Sequence, residues 1–593
     1  MSGEASGALA AVEVSGDVPT LHRPSSLGGS VSVPAPGYAK SQAHLLMKSE
    51  HNPNPTELPP PIAALGGNQG DMHVVVLIGM PEVGKPFLAK RMRQYLRFFH
   101  GADCALFDIA AHTPRADPSD KGTVDRNAQR LSASIASWML NGGQQPVPAQ
   151  HEAAHPLEKD EHDGDVGAAA WPERHAPPPA ADADARAADD AAGAADAPES
   201  TDARCSGPPA AAAAAAIVRG APSYKGQKVV DSGRCAIVYA SETIRTFAEH
   251  WSGSSKERRR WIAQSVKQMS ASVKLIFIEV KVLDPQLLRN NIAIKRAALG
   301  LGSSCEDDFR TVEARNKDFS KSFVTLQDDG SEDDMSYVLF INYGQKVVAN
   351  RMHGFLRMRI AQFLSTIHTE THTLYLTRHG QSEYNRLRKI GGNSGLTSYG
   401  LEYARRLAAF SEGTICREDG TNANKARLWT SSMRRTNETA QFIPHPQVAI
   451  DGDKWVQMSH RVYRNLDEIF AGEYEGLTYE EVAANHQDEA FLRKVDKIGY
   501  RYPRGESYYD IISRLDPLVH ELESYHEPTL IVSHQAVLRL LYAYLMGYDR
   551  EDSTKIAIPL HTVLKLTYNG WSRCTEERVF LGPEVPQGEL AGH

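Results

Sequence analysis

Residues 374–383 of this 593-residue chain read LYLTRHGQSE. The apolar start of the stretch predicts a buried β-strand, and the strand ends in Arg378, His379 and Gly380. Ligands of open α/β sheets bind at the carboxyl edge of the strands. At such an edge a neutral imidazole can attack phosphorus, and a neighbouring guanidinium can bind the phosphoryl oxygens. An Arg-His-Gly tripeptide can also be a surface turn, so the interpretation needs support from residues later in the chain.

Three later segments carry side chains that suit the same chemistry. His534 directly follows the apolar run 529–532, which predicts a second buried strand. Arg435 lies in a third segment that reads as a strand followed by a helix, and Glu468 lies in the segment 466–472. Two histidines, two arginines and one glutamate at strand ends suit a single reaction.

The five side chains predict a phosphoryl transfer through a phosphohistidine. His379 would take the phosphoryl group, and Arg378, Arg435 and His534 would balance the charge on its equatorial oxygens. Glu468 would donate a proton to the leaving alkoxide and later take one from the attacking water. No metal is expected, because the cations are part of the chain. The alternative for either histidine is a hydrogen-bonded core residue without a catalytic role.

The second half of the chain, about residues 372–585, closely resembles the histidine phosphatase (phosphoglycerate mutase-like) superfamily. Within it, the segment is similar to the bisphosphatase domain of the 6-phosphofructo-2-kinase/fructose-2,6-bisphosphatase family. Six motifs carry the resemblance: 378–380, 390–396, 478–481, 500–508, 534–539 and 559–566. The resemblance implies a three-layer α/β/α domain that hydrolyses a sugar bisphosphate without a cofactor. The sequence departs from the family at Gln381, where the family often has Glu.

The resemblance also implies a set of residues that bind the sugar bisphosphate. Each of them is the residue type of the family: Asn385, Gly391, Tyr479, Arg493, Lys497, Tyr508, Gln535 and Arg539. Arg493 and Lys497 are four residues apart on a predicted helix, so they would share a face and suit a second phosphate. The alternatives are a solvated helix face for this pair and ordinary packing for the two tyrosines.

The first half contains an altered phosphate-binding loop. The apolar run 74–78 predicts a strand, and GMPEVGKP occupies residues 79–86 directly after it. The spacing is that of a P-loop, which requires Ser or Thr after the lysine, but Pro86 stands there. The proline removes the hydroxyl that would bind magnesium and a backbone N–H that would point at phosphate. It also biases Lys85 away from helical geometry, although a first helical turn tolerates proline.

By position, residues 71–366 resemble the kinase domain of the same bifunctional family. Two further departures affect the implied active site, because Ala240 aligns with an acidic residue of the family and the segment 112–114 aligns with a pair of arginines. These departures from the family imply that the kinase lobe is inactive. ATP and magnesium would be needed only by an active kinase lobe. The alternative is weak nucleotide binding by the following residues: Gly79, Gly84, Lys85, Asn290 and Lys295. For Lys85, an exposed loop lysine is the alternative.

Charge and composition argue against several other functions. The chain has 65 basic and 73 acidic residues, a net charge of −8, which disfavours nucleic acid or an anionic membrane as the main partner. The six cysteines form no C-x-x-C pair, as expected of reduced thiols. No apolar run reaches eighteen residues, and the N-terminus has no secretory pattern. A cytoplasmic location is the default expectation.

The predicted organisation is a two-lobe α/β protein. A disordered arm over 1–70 precedes a P-loop-like parallel-sheet lobe over 71–366, which carries a disordered insertion over 143–222. The histidine phosphatase domain is predicted over 367–585, with a tail over 586–593. The apolar spacing within 346–366 predicts a single helix that ends the first lobe.

The preferred hypothesis is hydrolysis of the 2-phosphate of fructose 2,6-bisphosphate. Three rivals remain: a bifunctional enzyme with other magnesium ligands, a related phosphatase with a different phosphate ester, and a non-catalytic scaffold or sensor. The expected partner is a small sugar bisphosphate, and a homodimer is possible.

Overall fold

The computed structural model describes residues 72–112, 121–141, 233–240, 250–298, 306–418, 422–450, 452–568 and 574–584. The predicted arm over 1–70, insertion over 143–222 and tail over 586–593 lie outside the described residues. Two six-stranded sheets with helices packed against both faces confirm the predicted α/β class.

The first sheet has the strand order β2-β3-β1-β4-β5-β6, and all neighbours are parallel except β5 and β6. Its strands are β1 (Met72–Ile78), β2 (Asp103–Asp108), β3 (Arg234–Tyr239), β4 (Val273–Lys281), β5 (Tyr337–Ile341) and β6 (Lys346–Asn350). The helices of this part are α1 (Lys85–His100), α2 (Ile109–His112), α3 (Lys121–Asn141), α4 (Lys256–Met269), α5 (Pro285–Ala298), α6 (Glu306–Ser320) and α7 (Phe355–Thr366).

Strand β1 lies in the middle of this sheet and is buried on both faces. Its side chains alternate between two apolar clusters: Val75 and Leu77 pack on the side of α1, and Val74 and Val76 pack on the side of α3 and α4. A strand buried on both faces reads as a continuous apolar run, which explains the pattern at 74–78.

The second sheet has the order β13-β10-β14-β7-β15-β16 and is parallel from β13 to β7 and antiparallel beyond. Its strands, together with two small hairpins (β8–β9 and β11–β12), are β7 (His372–Arg378), β8 (Arg417–Glu418), β9 (Asn422–Ala423), β10 (Arg427–Thr430), β11 (Gln447–Ile450), β12 (Asp453–Val456), β13 (Ser459–Val462), β14 (Thr529–Ser533), β15 (Thr562–Tyr568) and β16 (Cys574–Phe580). The helices are α8 (Glu383–Arg386), α9 (Ser398–Phe410), α10 (Arg434–Ala440), α11 (Tyr479–Asn485), α12 (Gln487–Val495), α13 (Tyr508–Glu523) and α14 (Gln535–Met546).

The prediction of one helix over 346–366 is wrong in its first part. Residues Lys346–Asn350 form β6, which pairs antiparallel with β5 after a tight turn at Asn342 and Tyr343, and the helix begins only at Phe355. Two adjacent valines fit a pleated edge strand as well as a helix face, so the spacing of apolar residues alone did not separate the two.

The two sheets belong to one compact unit, Lys40–His593. Helix α1 of the first lobe packs against α13 and α14 of the second, and Tyr95 of α1 stacks on Phe363 with ring centroids 4.6 Å apart. Buried polar groups lie in the same contact. The Tyr95 hydroxyl donates to Asp516 Oδ1 at 2.9 Å and lies 2.9 Å from His100 Nε2 and 2.8 Å from His520 Nε2.

Ion pairs also contribute to this contact between the lobes. Arg359 Nη1 lies 3.2 Å from Asp516 Oδ2, and Arg91 Nη2 lies 2.6 Å from Glu523 Oε1, which also accepts the Tyr544 hydroxyl at 2.8 Å. Because buried charges need partners, either lobe alone would leave charged groups unpaired.

None of the helices in the described ranges is long and apolar enough to cross a membrane.

The contact between the lobes should lose stability in mild acid. Burial lowers the pKa of His100 to about 4, although Asp516 raises it in part. An unfolded histidine takes up a proton near pH 6.5, so below that pH the unfolded state binds more protons and the free energy of unfolding falls until about pH 4. One such histidine contributes at most about 3 kcal/mol to the change.

Urea denaturation at pH 7.5 and pH 5 measures this effect. We expect His100→Gln to show a smaller drop in the midpoint than the wild-type chain, because one titrating group is gone. His445→Gln changes an exposed histidine and should keep the wild-type drop. The same drop in His100→Gln as in the wild type would contradict the assignment.

Candidate active site

A cleft opens at the carboxyl ends of β10, β14 and β7, which are neighbours in the second sheet. Its empty space is about 740 Å³. Twelve of the thirteen residues predicted for the phosphatase site line it: Arg378, His379, Asn385, Gly391, Arg435, Glu468, Tyr479, Arg493, Lys497, Tyr508, Gln535 and Arg539. The thirteenth, His534, is fully buried, and its ring centroid lies 5.1 Å from that of His379.

The position of His379 is set by the backbone around it. Its N–H donates to Ser533 O at 3.0 Å, which ties the end of β7 to the end of β14. Its ring Nδ1 lies 2.8 Å from Gly380 O and therefore carries the proton in the neutral ring. Nε2 is then the nitrogen with the lone pair, as a nucleophile requires.

The two arginines beside His379 are buried cations. Arg378 Nη1 donates to Ile558 O at 3.1 Å, and Arg435 Nη1 donates to Gly392 O at 2.7 Å. Burial lowers the pKa of Arg378 to about 10 and also lowers that of Arg435, while Glu468 raises both in part. Within the described chain Arg378 Nε has no hydrogen-bond partner. Two desolvated guanidinium groups favour an anion between them.

His534 is a neutral imidazole in this arrangement. Burial, and then the positive charge of Arg435, place its pKa well below the usual value. Its Nε2 lies 2.7 Å from Ser431 Oγ, and its Nδ1 has no hydrogen-bond partner among the described residues. If Ser431 donates to Nε2, the ring proton is on Nδ1 and can be donated to an incoming anion.

Glu468 lies against the first turn of α14. Its Oε2 accepts from Gln535 N at 3.1 Å, and its Oε1 accepts from Ile469 N at 3.0 Å and from Ala536 N at 3.3 Å. The exposed N–H groups of a first helical turn favour a carboxylate there. Among the described residues that line the cleft, Glu468 is the one acid.

The far end of the cleft is lined by aromatic and basic side chains. Arg493 donates to Tyr502 Oη at 3.0 Å and to Tyr479 Oη at 3.1 Å, and its guanidinium lies 4.5 Å from the Tyr479 ring centroid. The prediction that Lys497 shares a helix with Arg493 is wrong: α12 ends at Val495, and the chain leaves helical geometry at the C-cap Asp496, with φ −139° and ψ 80°. Lys497 nevertheless lines the same cleft from the loop after α12.

Helices α13 and α14 both begin at the cleft. Tyr508 is the first residue of α13, and its hydroxyl accepts from Arg539 Nη1 of α14 at 3.2 Å. Arg539 Nε donates to Ile556 O at 2.6 Å, so its guanidinium is fixed from two sides. Asn385 closes a capping box with Ser382 at the start of α8, with Oδ1 accepting from Ser382 N at 3.0 Å.

Both the backbone conformation at Gly391 and the close approach of Glu475 require a glycine at this position. Its φ is +62°, and a Cβ built there would overlap the carboxylate of Glu475. Glu475 accepts from the backbone N–H groups of Gly392 and Ala471, which fixes the 390–392 loop against the segment after Glu468. Only glycine adopts this conformation at such a short approach without strain.

Several side chains at this site were not singled out as site residues from the sequence, although Ser382, Ile390 and Ala536 lie within the quoted stretches. The additional lining residues are Ser382, Tyr384, Lys389, Ile390, Ile469, Tyr500, Tyr502 and Ala536. Tyr500 and Tyr502 fall within the motif 500–508, which was a possible pointer to them. Thr439, whose Oγ1 accepts from Gly380 N at 2.9 Å, is distant along the chain and carries no such pointer.

The altered P-loop is closed by its own side chains. Lys85 is buried and donates to Gly79 O at 3.0 Å and to Met80 O at 2.6 Å, and burial lowers its pKa to about 8. The carboxylate of Glu82 lies 3.1 Å from Lys295 Nζ and 3.2 Å from Arg315 Nη2. Asn290 is exposed and accepts from Gln286 at 3.2 Å. Lys295 therefore lies beside the loop and Asn290 faces the solvent, and nucleotide binding by the predicted set stays a prediction.

Pro86 does not disturb the helix that begins at the end of the loop. Lys85 is the first residue of α1, so the expected bias of Lys85 away from helical geometry is not realised. Gly84, with a φ of 78°, forms the N-cap and turns the chain into the helix.

Replacement of Gly391 by Ala tests how the 390–392 loop is fixed. We expect the free energy of unfolding to fall by about 1–3 kcal/mol, because strain at positive φ adds to the contact with Glu475. Gly452→Ala is the matched control, since Gly452 also has a positive φ (84°) but has open space for a Cβ. Urea denaturation measures both variants, and an equal loss in the two would contradict the role of Glu475.

Comparisons with known proteins match two separate parts of the chain. The family profile described as histidine phosphatase superfamily (branch 1) matches residues 374–577, and the profile described as 6-phosphofructo-2-kinase matches residues 252–371. The "6-phosphofructo-2-kinase/fructose-2,6-bisphosphatase 3" of Rattus norvegicus is 35% identical over 361 residues, which cover 60% of this chain and 58% of that protein. The chain therefore spans less than two thirds of the length of this relative.

Two further comparisons cover a larger share of the matched protein. The "6-phosphofructo-2-kinase/fructose-2,6-bisphosphatase" of Gallus gallus is 33% identical over 365 residues, which cover 59% of this chain and 72% of that protein. Among solved structures, the alpha-ribazole phosphatase from Shigella flexneri aligns with 22% identity and a TM-score of 0.29, over 36% of this chain and 100% of that chain.

Proposed function

Because the chain belongs to the 6-phosphofructo-2-kinase/fructose-2,6-bisphosphatase family, we propose that its second lobe hydrolyses the 2-phosphate of fructose 2,6-bisphosphate to give fructose 6-phosphate and phosphate. One observation carries the proposal. His379, whose Nδ1 lies 2.8 Å from Gly380 O so that Nε2 is left for attack, lines one cleft with the buried Arg378 and Arg435 and with Glu468.

In the first step His379 Nε2 attacks phosphorus, and the bond from phosphorus to the sugar oxygen breaks. Arg378 and Arg435 balance the charge on the equatorial oxygens, and His534 donates a hydrogen bond from its Nδ1–H to one of them. Glu468, protonated at this stage, gives its proton to the leaving sugar oxygen. The product is a phosphohistidine together with fructose 6-phosphate.

In the second step water attacks the phosphohistidine. Glu468 is now a carboxylate at the same position and takes a proton from the water, while the bond from phosphorus to Nε2 breaks. Phosphate leaves with the proton balance restored, so the cycle needs only side chains of this chain.

The choice of substrate is supported by the far end of the cleft. Arg493 and Lys497 add two cations beyond the reacting phosphate, and Tyr479 and Tyr508 offer hydroxyls beside them. A second phosphate on the sugar suits this pair of cations. The rival substrate, a different phosphate ester with one phosphate, would bring no second phosphate to these two cations.

For the first lobe we propose that transfer of phosphate from ATP is lost. The residues present do not fit a magnesium ion: Pro86 has no hydroxyl and Ala240 no carboxylate. Glu279, on strand β4, is buried and accepts from Thr325 Oγ1 at 2.5 Å and Leu326 N at 2.6 Å. In addition, the Glu82 carboxylate already pairs with Lys295 and Arg315 beside the loop.

A cytoplasmic location and a homodimer stay hypotheses drawn from the sequence. Analytical ultracentrifugation of the purified chain tests the dimer, and imaging of a tagged chain in its own cells tests the location.

Replacement of His379 by Ala should abolish formation of the phosphoenzyme. The wild-type protein, mixed with fructose 2,6-bisphosphate and quenched within milliseconds, should carry an acid-labile, base-stable phosphoryl group, and phosphate should be released at steady state. His445→Ala, an exposed histidine of the same lobe, serves as the control and should keep both signals. Wild-type turnover in His379→Ala would overturn the mechanism.

The kinase lobe is tested by incubating the His379→Ala variant, in which the phosphatase is silenced, with fructose 6-phosphate, ATP and magnesium. No fructose 2,6-bisphosphate should accumulate, because Pro86 lacks the hydroxyl and Ala240 the carboxylate that would bind magnesium. Accumulation of the bisphosphate would establish the bifunctional alternative and would show that Pro86 has been compensated.

A further inference from the structure

Glu468 lies in a segment without regular secondary structure, between two short 3₁₀ turns at Arg464–Leu466 and Gly472–Tyr474. A catalytic acid must be placed to within a fraction of an ångström, and a segment of this kind needs support from its surroundings. Arg514, in the second turn of α13, supplies contacts on both sides of Glu468. It lies outside the set of residues that line the cleft.

The guanidinium of Arg514 binds three backbone carbonyls in this segment. Nη1 donates to Asn465 O at 2.5 Å, and Nη2 donates to Asp467 O at 2.6 Å and to Glu468 O at 3.3 Å. The Asn465 side chain returns a hydrogen bond to Arg514 O at 2.5 Å. The carbonyls just before and at Glu468 are therefore tied to a rigid helix.

A carboxylate extends the same contact to the residues after Glu468. Arg514 Nε donates to Glu506 Oε1 at 3.1 Å, and Glu506 Oε2 accepts from Phe470 N at 3.0 Å. On the opposite side, Asp467 accepts from Ser432 N and Oγ at 2.7 Å each. The segment 465–470 is thus fixed at both ends, and Arg514 is the group common to both.

We propose that Arg514 is a positioning residue for Glu468, and this rests on the proposed phosphatase function. Arg514 holds the backbone of the 465–470 segment, so that the Glu468 carboxyl reaches the leaving oxygen in the first step and the water in the second. The planar fork of an arginine suits this task, because it donates in several fixed directions at once. A lysine would keep the positive charge but could not donate hydrogen bonds in the same fixed directions.

A positioning role has a kinetic consequence that a purely structural role lacks. In the first step the proton of the Glu468 carboxyl moves to the oxygen that leaves phosphorus. A sugar alkoxide needs that proton, whereas p-nitrophenolate is a stable anion and leaves without it. Loss of Arg514 should therefore slow phosphoenzyme formation from a sugar ester far more than from p-nitrophenyl phosphate.

Rapid-quench measurement of phosphohistidine formation distinguishes a positioning role of Arg514 from a purely structural one. With fructose 2,6-bisphosphate, Arg514→Gln should lower the rate of formation about 10- to 100-fold, and with p-nitrophenyl phosphate by less than about threefold. Arg514→Lys should fall between the wild type and Arg514→Gln. The matched control is Arg501→Gln, which removes a partly exposed arginine paired with Asp510 and leaves the 465–470 segment untouched.

A double-variant cycle with Glu468→Gln gives an independent readout. If Arg514 acts through Glu468, adding Arg514→Gln to Glu468→Gln should cause little further loss with the sugar ester. Additive losses, or equal losses with both substrates, would overturn the proposal. So would full activity of Arg514→Lys, since the charge alone would then suffice.

The proposed function and this proposal fail in different ways. If the wild-type protein forms no phosphohistidine from fructose 2,6-bisphosphate, the choice of substrate is wrong, and the comparison moves to whichever alkyl phosphate does label His379. If the wild type labels normally and Arg514→Gln slows both esters alike, the positioning role is wrong. Arg514→Lys gives the answer if Arg514→Gln does not fold.

Discussion

The second lobe depends on the burial of two cations that form no direct ion pair with the described residues, although Glu468 lies close enough to raise the pKa of both. Arg378 and Arg435 are nearly inaccessible to water, and burial lowers the pKa of both. A cation removed from water is costly unless an anion or several carbonyls compensate. Backbone oxygens at Ile558 and Gly392 compensate each arginine in part. The charge that remains uncompensated gives the cleft a strong local preference for an anion, which a phosphoryl group can satisfy.

The same constraint explains the states of the other groups in the cleft. Burial and the nearby guanidinium groups keep His534 neutral. It can therefore donate a hydrogen bond from Nδ1–H without adding a further positive charge. Glu468 lies against the amides of a helix start, which places a carboxylate near the cations while its hydrogen bonds go to backbone N–H groups. The nucleophile His379 and the acid–base group Glu468 therefore lie in different surroundings.

The features that could be predicted from the sequence were local, and those that could not were distant along the chain. The strand before His379 and the strand before His534 are runs of apolar residues, and their ends are visible without any partner. The end of α12 before Lys497 depends on the cap at Asp496, which spacing alone does not reveal. Strand β6 was missed because a pair of valines suits either structure until its neighbour, β5, is known.

The contacts of Arg514 and Glu82 also could not be predicted from the sequence, because their partners are distant along the chain. Arg514 meets the carbonyls of residues 465–468 across 46 to 49 positions, and Glu82 meets Lys295 across 213. No motif marks such pairs, since each residue alone reads as a charged surface position. The roles assigned to the cleft residues also stay predictions, because they rest on resemblance and geometry and await kinetics.

The contact between the lobes bears on how the chain can be divided. Strands β1 and β7 contribute to one continuous apolar cluster, together with Phe99, Phe363 and Tyr544. A fragment that begins after α7 would expose aromatic surface on α14 and leave the Glu523 carboxylate buried without its arginine. Whatever reaction the first lobe performs, its helix α1 forms one wall of the phosphatase core. The two lobes are therefore expected to fold and unfold together.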